Sequence, residues 1–403
     1  MIPRVLLVTT VNWPSTARLT SAFAGVGAQV EALFPAGHVC AKSRFLSGAH
    51  IYSPYFPLAS LGDAITKAQP DLVVPCDDRA LGLLRTTYAR DIASALIARA
   101  LGDMGSYAAL VSRNAFIAEA RELGLAAPRS APVESEAELE LELSWLGFPA
   151  VLKADGSWGG EGVAIVRDLP AALEAYRKFS TAPSRIRSLG RAVLRQDAHF
   201  LRHALRPPQP AISVQGFVPG MPATSTFACW RGQVLASIHM DVLESQGATG
   251  PASVMRRVDC PVMEEAAVRI AARFGLSGLH GLDFVRDAAG QPHLIEINPR
   301  ATQASAFAFG PGHDVAAALA ACIAPSAVRP RPAATANPTI ALFPQEWRRD
   351  PNSPWFQSAH PDVPWDDPAV LLACLAPGET VPERRSENDE AAAPLTVRQA
   401  VGR

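Results

Sequence analysis

The sequence lacks the features that mark secreted, membrane-spanning and zinc-binding proteins. Its six cysteines are widely separated and form no C-x-x-C pair, which argues against a disulfide framework and against a zinc site. No uncharged apolar run reaches about 18 residues, the length that a membrane-spanning helix needs. The first apolar run stops at Asn12, so no signal peptide is predicted. We therefore expect a cytoplasmic protein without a membrane-spanning segment.

An excess of charge of either sign is also missing. The 403 residues include 37 Lys and Arg against 38 Asp and Glu, a formal net charge of −1. This balance gives no indication of a nucleic acid or an anionic membrane as a partner. Hydrophobic residues make up 48% and charged residues 19%, which is enough apolar material for a buried core and argues against a mostly disordered chain.

The first part of the chain alternates between apolar runs of strand length and helical patterns. Strands are predicted over residues 5–10, 29–34 and 71–75, and helices over residues 15–24 and 58–68. This alternation indicates an α/β domain with a parallel sheet, in which ligands bind at the carboxyl ends of the strands. Asp77 and Asp78 follow one such end, where they either cap the next helix or contact a substrate. The dinucleotide fingerprint G-x-G-x-x-G is absent after the first strand.

A glycine-rich loop follows a predicted strand at residues 148–153. Lys153 ends that strand and opens the segment K-A-D-G-S-W-G-G-E-G, which runs to Gly162 before a second strand at residues 163–166. Glycine lets backbone N–H groups turn toward a phosphate, and the lysine supplies a point charge for its oxygens. The pattern predicts a phosphate-binding loop, with an ordinary hairpin turn as the alternative.

A second motif spans residues 281–300, with the sequence G-L-D-F-V-R-D-A-A-G-Q-P-H-L-I-E-I-N-P-R. Two alternating apolar runs flank a polar centre, a pattern that is typical of a β-hairpin. With Ala289 and Gly290 as a two-residue turn, Val285 is expected to pair with Leu294.

The same register places Asp283 directly opposite Glu296, with Asn298 on the same face. Opposed carboxylates repel, and a bound divalent cation would remove that penalty. Carboxylate and amide oxygens suit Mg²⁺, which takes its remaining ligands from water and phosphate. Arg300 can contact a transferring phosphoryl group or a substrate carboxylate. A surface hairpin with incidental acids is the alternative to this predicted metal site.

The two motifs resemble those of the ATP-grasp superfamily, and are most similar to the carbamoyl-phosphate synthetase large-chain and D-alanine–D-alanine ligase type. The resemblance covers roughly residues 113–310, within which residues 214–220 are similar to the hinge between the two ATP-clamping subdomains. It implies an α/β and α+β fold with an N-terminal parallel-sheet domain that precedes a two-subdomain ATP-grasp domain. The implied units are residues 1–112, residues 113–325 with subdomains 113–214 and 215–325, and a Pro- and Trp-rich C-terminal extension at residues 326–403. The last stretch of this extension, from about Pro377, is expected to be a mobile tail.

The resemblance also implies a role for each matching position, with ATP and Mg²⁺ as cofactors and Mn²⁺ as an alternative metal. The residues expected to contact the phosphates are Arg113, Lys153, Gly156, Ser157, Gly159, Gly160 and Gly162. The residues expected to meet the adenine edge are Gln215, Gly216, Phe217 and Val218. The expected metal ligands are Asp283, Glu296 and Asn298, and the expected catalytic residues are Lys153 and Arg300.

The function implied by the resemblance is that of an ATP-dependent carboxylate–amine ligase that forms an acyl phosphate and releases ADP and phosphate. Its partners would be a small-molecule carboxylate and an amine, and a homodimer is compatible with the family. One alternative is a bicarbonate-phosphorylating carboxylase or carbamoyl-phosphate-synthetase-like enzyme, although Ala248 stands where those synthetases have a histidine. The other is a non-catalytic ATP-binding sensor, which is favoured by Gln215 and Gly216 standing where the family has a ribose-binding carboxylate. A basic stretch at residues 185–206 is either a solvated helix or an anion or partner surface.

Overall fold

The computed structural model describes residues 2–154, 162–181, 211–247 and 250–375. Within these ranges, fifteen strands form three sheets of four, four and seven strands. The predicted basic stretch at residues 185–206, Ala248 and the expected mobile tail lie outside the described residues. All six cysteines are free thiols. Of the helices in the described ranges, none combines the length and the hydropathy that crossing a membrane requires.

The N-terminal sheet is parallel throughout, with strand order β3-β2-β1-β4. Its strands are β1 (Arg4–Val8), β2 (Gln29–Pro35), β3 (Gly48–Tyr52) and β4 (Leu72–Pro75). The helices of this part are α1 (Ser15–Gly25), α2 (Pro57–Ala68), α3 (Asp78–Ala89), α4 (Ser94–Leu101) and α5 (Tyr107–Leu110). The predicted α/β region is thereby confirmed. The sequence did not indicate β3 because this strand lies at the sheet edge, where alternate side chains are exposed and no continuous apolar run is needed.

A smaller antiparallel sheet, which we call the small sheet, has strand order β5-β8-β6-β7. Its strands are β5 (Ser130–Val133), β6 (Ala150–Ala154), β7 (Val163–Val166) and β8 (Ile212–Gly216). The helices α7 (Glu136–Leu146) and α8 (Leu169–Ser180) pack on this sheet, whereas α6 (Arg113–Glu122) buries its apolar side chains in the core of the N-terminal and large sheets. The hydroxyl of Ser135 accepts a hydrogen bond from the backbone N–H of Glu138, which caps the start of α7.

The large sheet has seven strands in the order β13-β12-β9-β10-β11-β14-β15. Its strands are β9 (Met221–Trp230), β10 (Gln233–Ser245), β11 (Ala252–Arg257), β12 (Gly278–Arg286), β13 (Pro292–Asn298), β14 (Thr339–Leu342) and β15 (His360–Asp362). Its neighbouring helices are α9 (Pro261–Phe274), α10 (Val315–Ile323), α11 (Gln345–Arg349), α12 (Trp355–Ser358) and α13 (Pro368–Cys374). Single turns of 3-10 helix occur at Val39–Lys42, Met104–Ser106 and Gln303–Ala306.

The C-terminal segment is more regular than its proline content indicates. The stretch from Pro325 to Pro338 has no helix or strand, as its prolines predict. Beyond it, β14 pairs with β11 and β15 pairs with β14, so this part of the chain extends the large sheet rather than only wrapping it. The prolines do not prevent this because both strands are short, with four and three residues, and lie at the end of the sheet.

The buried apolar side chains form two main clusters. The larger one runs without interruption from the N-terminal sheet into the large sheet, and includes Leu7, Phe23, Phe227 and Leu282. The small sheet has a cluster of its own, with Leu152 among its members. The small sheet is therefore a separately packed unit.

Candidate functional site

The hairpin of β12 and β13 places Asp283 directly opposite Glu296, in the register that the sequence predicted. The predicted turn, however, is wrong. The backbone N–H of Asp287 donates to the carbonyl oxygen of Gln291 at 3.0 Å, which encloses three residues rather than two. Gly290 adopts φ +80°, the left-handed conformation that a three-residue hairpin loop needs at this position.

The longer loop shifts the pairing near the turn by one residue. Val285 therefore pairs with His293 and not with Leu294 as predicted. A β-bulge at Ile295 then restores the register, because Phe284 pairs with Leu294 while the preceding Asp283 pairs with Glu296. The shift from the longer loop and the shift from the bulge cancel, so Asp283 still pairs with Glu296 as predicted.

The bulge also exposes a carbonyl group to the small sheet. The Nζ atom of Lys153, on β6, lies 3.4 Å from the carbonyl oxygen of Ile295. The side-chain Nε2 of Gln215, on β8, lies 3.5 Å from the same oxygen. Lys153 and Gln215 are both buried, with 6% and 3% of their surfaces exposed. The bulge thus brings the predicted phosphate-binding lysine to the predicted metal-binding hairpin.

The three predicted metal ligands lie together. The side-chain Nδ2 of Asn298 donates to Oδ2 of Asp283 at 2.8 Å. Burial raises the pKa of the Asp283 carboxyl group, and the negative charge of Glu296 raises it further. In the part of the chain that the structure describes, no three His, Cys, Asp or Glu side chains form a metal-binding group. The predicted set has only two such side chains, Asp283 and Glu296, and its third member is the amide of Asn298. That donor set fits a cation that takes other ligands from phosphate and water.

Arg113 links the hairpin to the base of the glycine loop. It is the first residue of α6, whose start is capped by the hydroxyl of Ser112. One guanidinium nitrogen donates to the carbonyl oxygen of Ala154 at 3.0 Å, and the other lies 3.4 Å from Oε1 of Glu296. The structure therefore groups Arg113 with Lys153 and the metal-ligand set.

Most of the predicted glycine loop lies outside the described residues, namely Gly156, Ser157, Gly159 and Gly160. Its base is described. The carbonyl oxygen of Gly162 accepts a hydrogen bond from the backbone N–H of Ala154 at 2.8 Å, and Lys153 pairs with Val163. The loop is thus carried by two antiparallel strands that end beside Arg113.

The predicted adenine-contacting segment connects the small sheet to the large sheet. Gln215 and Gly216 end β8, and Phe217 and Val218 lead toward β9. The N–H of Gly216 donates to the carbonyl oxygen of Arg129 at 2.9 Å. The side chain of Gln215 contacts the carbonyl oxygen of Ile295 in the bulge. A segment between two separately packed sheets has the position that a hinge requires.

The first acidic residue after this segment is Asp241, on β10, and it is already engaged. Its carboxylate accepts hydrogen bonds from Arg286 at 2.7 Å and from Arg256 at 3.3 Å. Asp241 is 1% exposed. Because both of its oxygens are paired with arginines, Asp241 does not replace the missing hinge carboxylate.

The two acids at the end of β4 have separate roles. Asp77 caps α3, since its side chain accepts from the backbone N–H of Ala80 at 2.8 Å. It also accepts from the hydroxyl of Thr9 and from the N–H and hydroxyl of Thr10, so its role is structural. Asp78 instead points to the predicted site, where its Oδ1 accepts from Nε of Arg300 at 2.9 Å.

Arg300 joins the N-terminal sheet to the metal-ligand set. Its Nη2 donates to Oδ1 of Asn298 at 3.0 Å, and its Cζ lies 5.3 Å from the ring centroid of Trp13. The sequence analysis did not select Trp13 as a site residue. Its position after β1, at the carboxyl edge of a parallel sheet, is the signal that could have found it.

A serine–histidine–glutamate arrangement lies on the other face of the large sheet. The hydroxyl of Ser225 is 2.7 Å from Nδ1 of His239, whose Nε2 is 2.9 Å from Oε2 of Glu264. Asp283 pairs with Thr224, so the next residue, Ser225, points away from Asp283. Ser225 is fully buried and has no access to a substrate, so we assign this arrangement to packing.

Residues 195–304 match the family model described as the ATP-grasp domain, and this range contains the predicted hinge at residues 214–220 and the β12–β13 hairpin. This protein has the ATP-grasp fold. The superfamily resemblance inferred from the two motifs is confirmed, as is the fold of a parallel-sheet domain followed by an ATP-grasp domain. No curated protein sequence matches the chain.

Solved structures with the same fold share little sequence with this chain. The biotin carboxylase domain dimer of Hydrogenobacter thermophilus 2-oxoglutarate carboxylase, in complex with MgADP, ADP and bicarbonate, has a TM-score of 0.58 at 15% identity, over 80% of this chain and 70% of that one. Aspergillus clavatus carboxyaminoimidazole ribonucleotide synthase, complexed with ATP, has a TM-score of 0.55 at 15% identity, over 79% and 77%. The L-amino acid ligase of Bacillus licheniformis has a TM-score of 0.53 at 15% identity, over 82% and 75%. At these identities the likeness establishes the fold alone.

Proposed function

We propose that this ATP-grasp protein is an ATP-dependent carboxylate–amine ligase that works through an acyl phosphate and releases ADP and phosphate. The observation that carries the proposal is the convergence of cationic and metal-binding side chains where the small sheet meets the β12–β13 hairpin. The converging residues are Arg113, Lys153, Asp283, Glu296, Asn298 and Arg300.

Asp283, Glu296 and Asn298 would hold Mg²⁺, with Mn²⁺ as an alternative. The register of the hairpin supports this assignment, because two carboxylates that face each other, those of Asp283 and Glu296, repel unless a cation lies between them. When bound, Mg²⁺ neutralises the charge of the phosphate oxygens. Two of the structures with this fold contain ATP or MgADP, which supports the same ligands here.

Around the metal-ligand set, Lys153 and Arg113 would bind phosphate oxygens. Gly162 and the loop residues Gly156, Ser157, Gly159 and Gly160 would cover the phosphates with backbone N–H groups. The adenine edge would contact the backbone of the segment formed by Gln215, Gly216, Phe217 and Val218. These roles are inferred from the position of each residue and from the motif.

In the proposed reaction, a carboxylate oxygen of the substrate attacks the γ-phosphorus of ATP, and ADP leaves. Lys153 counters the charge that develops on the transferring group, and Arg300 contacts the acyl phosphate. The amine nitrogen then attacks the acyl carbon, phosphate leaves, and the nitrogen loses a proton to give an amide. The loop after Lys153 would exclude water, which otherwise hydrolyses the acyl phosphate.

Two alternatives each have one supporting observation. The likeness to a biotin carboxylase domain in complex with bicarbonate favours a bicarbonate-phosphorylating enzyme, which would show ATP turnover stimulated by bicarbonate. The hinge without a carboxylate favours an ATP sensor, which would bind ATP without turnover. Release of phosphate from ATP, measured with bicarbonate, with amino acid pairs and with neither, separates the three functions.

The metal-ligand assignment is tested with Asp283→Asn in the full-length protein. The wild type is expected to show a rise in melting temperature with ADP and Mg²⁺ together, and the variant is expected to lose it. The matched control is Asp287→Asn at the tip of the same hairpin, where the side chain accepts from the N–H groups of Ala289 and Gln291. A wild type without Mg²⁺-dependent nucleotide binding, or an unchanged response of Asp283→Asn, would refute the assignment.

A further inference from the structure

Asp78 lies where the N-terminal sheet meets the β12–β13 hairpin. It is the first residue of α3, shortly after the carboxyl end of β4, and ligands of parallel sheets bind at such ends. Its Oδ1 accepts from Nε of Arg300 at 2.9 Å, whereas its Oδ2 has no hydrogen-bond partner within the described residues. The side chain is 46% exposed. Asp78 therefore has one carboxylate oxygen held by Arg300 and one that a ligand can reach.

The other acids of this region that are described above have roles of their own. Both oxygens of Asp77 accept hydrogen bonds, and 2% of its surface is exposed. Asp283 and Glu296 face each other in the hairpin and belong to the proposed metal-ligand set. Among these four acids, Asp78 is thus the one that can pair with a ligand other than the metal.

The guanidinium of Arg300 places Asp78 next to the proposed reaction. Its N–H groups donate to Asp78, to Oδ1 of Asn298 and to the carbonyl oxygen of Ala301. The ring of Trp13 lies over the guanidinium, with its centroid 5.3 Å from Cζ. A guanidinium has five N–H groups, so further donors remain for the oxygens of an acyl phosphate. An acyl phosphate bound to them would lie beside Asp78, because the donors belong to one small planar group.

The charge around Asp78 would change during the proposed reaction. Without a substrate, the positive charge of Arg300 offsets the negative charge of Asp78. An acyl phosphate at Arg300 would add negative charge close to Asp78, which favours a cation at its open oxygen. The second substrate of the proposed reaction is such a cation, since alkyl amines are protonated at neutral pH.

We propose that Asp78 binds the protonated amine substrate through Oδ2, while Arg300 holds the acyl phosphate that the amine attacks. The substrate class is an amine that carries a positive charge at neutral pH, as opposed to an uncharged nucleophile. One proton leaves the bound nitrogen for water, which frees the lone pair, and the attack on the acyl carbon then proceeds as described above. This assignment rests on the proposed ligase function and deepens it.

Two nucleophiles of nearly equal size, methylamine and hydroxylamine, test the assignment. Methylamine is protonated at neutral pH, whereas hydroxylamine is largely uncharged. The full-length protein is supplied with ATP, Mg²⁺ and each common amino acid in turn as the acid, and ADP, the N-methylamide and the hydroxamate are measured. In Asp78→Asn, we expect KM for methylamine to rise about tenfold and KM for hydroxylamine to change by less than about twofold. Asparagine can still accept from Arg300 but has no charge for the amine.

Two further variants separate this role from a purely structural one. Asp78→Glu restores the charge and should recover part of the affinity for methylamine. Asp63→Asn, which changes an exposed acid on α2, should leave both KM values at the wild-type level. If Asp78 only positioned Arg300, Asp78→Asn would impair the use of both nucleophiles equally.

The outcomes distinguish this assignment from the ligase function. Equal changes of both KM values in Asp78→Asn, or an unchanged KM for methylamine, would overturn the assignment. A wild type that makes the hydroxamate but no N-methylamide would overturn it as well. In each of these cases the wild type still forms ADP, so the ligase function stands. If the wild type forms no ADP with any acid, the ligase function itself fails, and the amine site fails with it.

Discussion

The amine of Lys153 lies 3.4 Å from the carbonyl oxygen of Ile295, the residue that forms the bulge in β13. Bulges leave one backbone group outside the strand ladder, and here that group receives the lysine. Gln215 reaches the same oxygen from the next strand of the small sheet. One irregular residue therefore sets the distance between the proposed phosphate-binding lysine and the proposed metal ligands.

Replacement of this lysine tests its proposed role. Lys153→Met keeps the length of the side chain and its buried position but removes the charge. We expect phosphate release from ATP to fall roughly a hundredfold, because a charge placed beside a transferring phosphoryl group contributes several kcal/mol to the transition state. The control is Lys178→Met in the last turn of α8. Wild-type turnover by Lys153→Met, measured by phosphate release, would contradict the assignment.

The two adjacent acids after β4 are expected to respond differently to replacement. Asp77→Ala removes a helix cap and the hydrogen bonds to Thr9 and Thr10, and should lower the free energy of unfolding by about 3 kcal/mol. Asp78→Ala removes a half-exposed partner of Arg300 and should cost less than about 1 kcal/mol while altering turnover. Urea denaturation and phosphate release measure the two effects. Equal losses of stability would show that the division of roles is wrong.

Gly281 lies on β12, where it pairs with Asn298, and has no room for a side chain. A Cβ there would overlap Cγ2 of Thr302 and lie 3.5 Å from Cβ of Asn298. We expect Gly281→Ala to lower the free energy of unfolding by roughly 1–3 kcal/mol and to weaken Mg²⁺-dependent nucleotide binding, because overpacking displaces Asn298.

The comparison for this prediction is Gly62→Ala within α2, where nothing lies within 4 Å of the new methyl group. That change should stabilise the protein by up to about 1 kcal/mol, since alanine favours helix. If Gly281→Ala behaves like Gly62→Ala in thermal denaturation and in nucleotide binding, the close packing of Thr302 is unimportant.

The contact between His239 and Glu264 predicts a pH-dependent contribution to stability. The hydrogen bond from His239 is the largest cause that holds the pKa of Glu264 below its ordinary value of 4.5, against the opposing effect of burial. The unfolded chain thus binds this proton more tightly, so the contribution is complete above pH 4.5 and is lost as the pH falls through the lower folded pKa.

Glu264→Gln should therefore flatten the decline of stability below pH 4.5, with little additional pH dependence above it. Chemical denaturation at a series of pH values measures this effect. Glu265→Gln is the control, because that neighbour has a half-exposed side chain paired with Arg269 on the same helix. A similar change of slope in both variants would mean that the His239 contact is not its cause.

The carboxylate pair was predictable from sequence, although part of the register was not. Alternation of apolar residues predicts two strands and the face on which each side chain lies. It does not reveal whether a loop has two or three residues, or where a bulge absorbs the difference. The pairing of Asp283 with Glu296 survived because the loop and the bulge at Ile295 shift the register in opposite directions.

The sequence patterns did not predict contacts between residues that lie far apart in the chain. The division of roles between Asp77 and Asp78 depends on Thr10 and Arg300, which lie 67 and 222 residues away. The pairing of β14 with β11 likewise depends on which edge of the large sheet is open. Short-range periodicity carries no information about either.

The separate packing of the small sheet has a mechanical consequence. Among the residues that the structure describes, its apolar cluster is not continuous with that of the large sheet, so the small sheet can tilt as a lid without exposing a core that these residues share. Hydrogen bonds from Lys153, Gln215 and Arg113 bridge the cleft, and phosphate or water oxygens can take the place of their acceptors. Exchange of these hydrogen bonds for hydrogen bonds to phosphate or water, rather than burial of apolar surface, would then govern when the small sheet opens and when it closes.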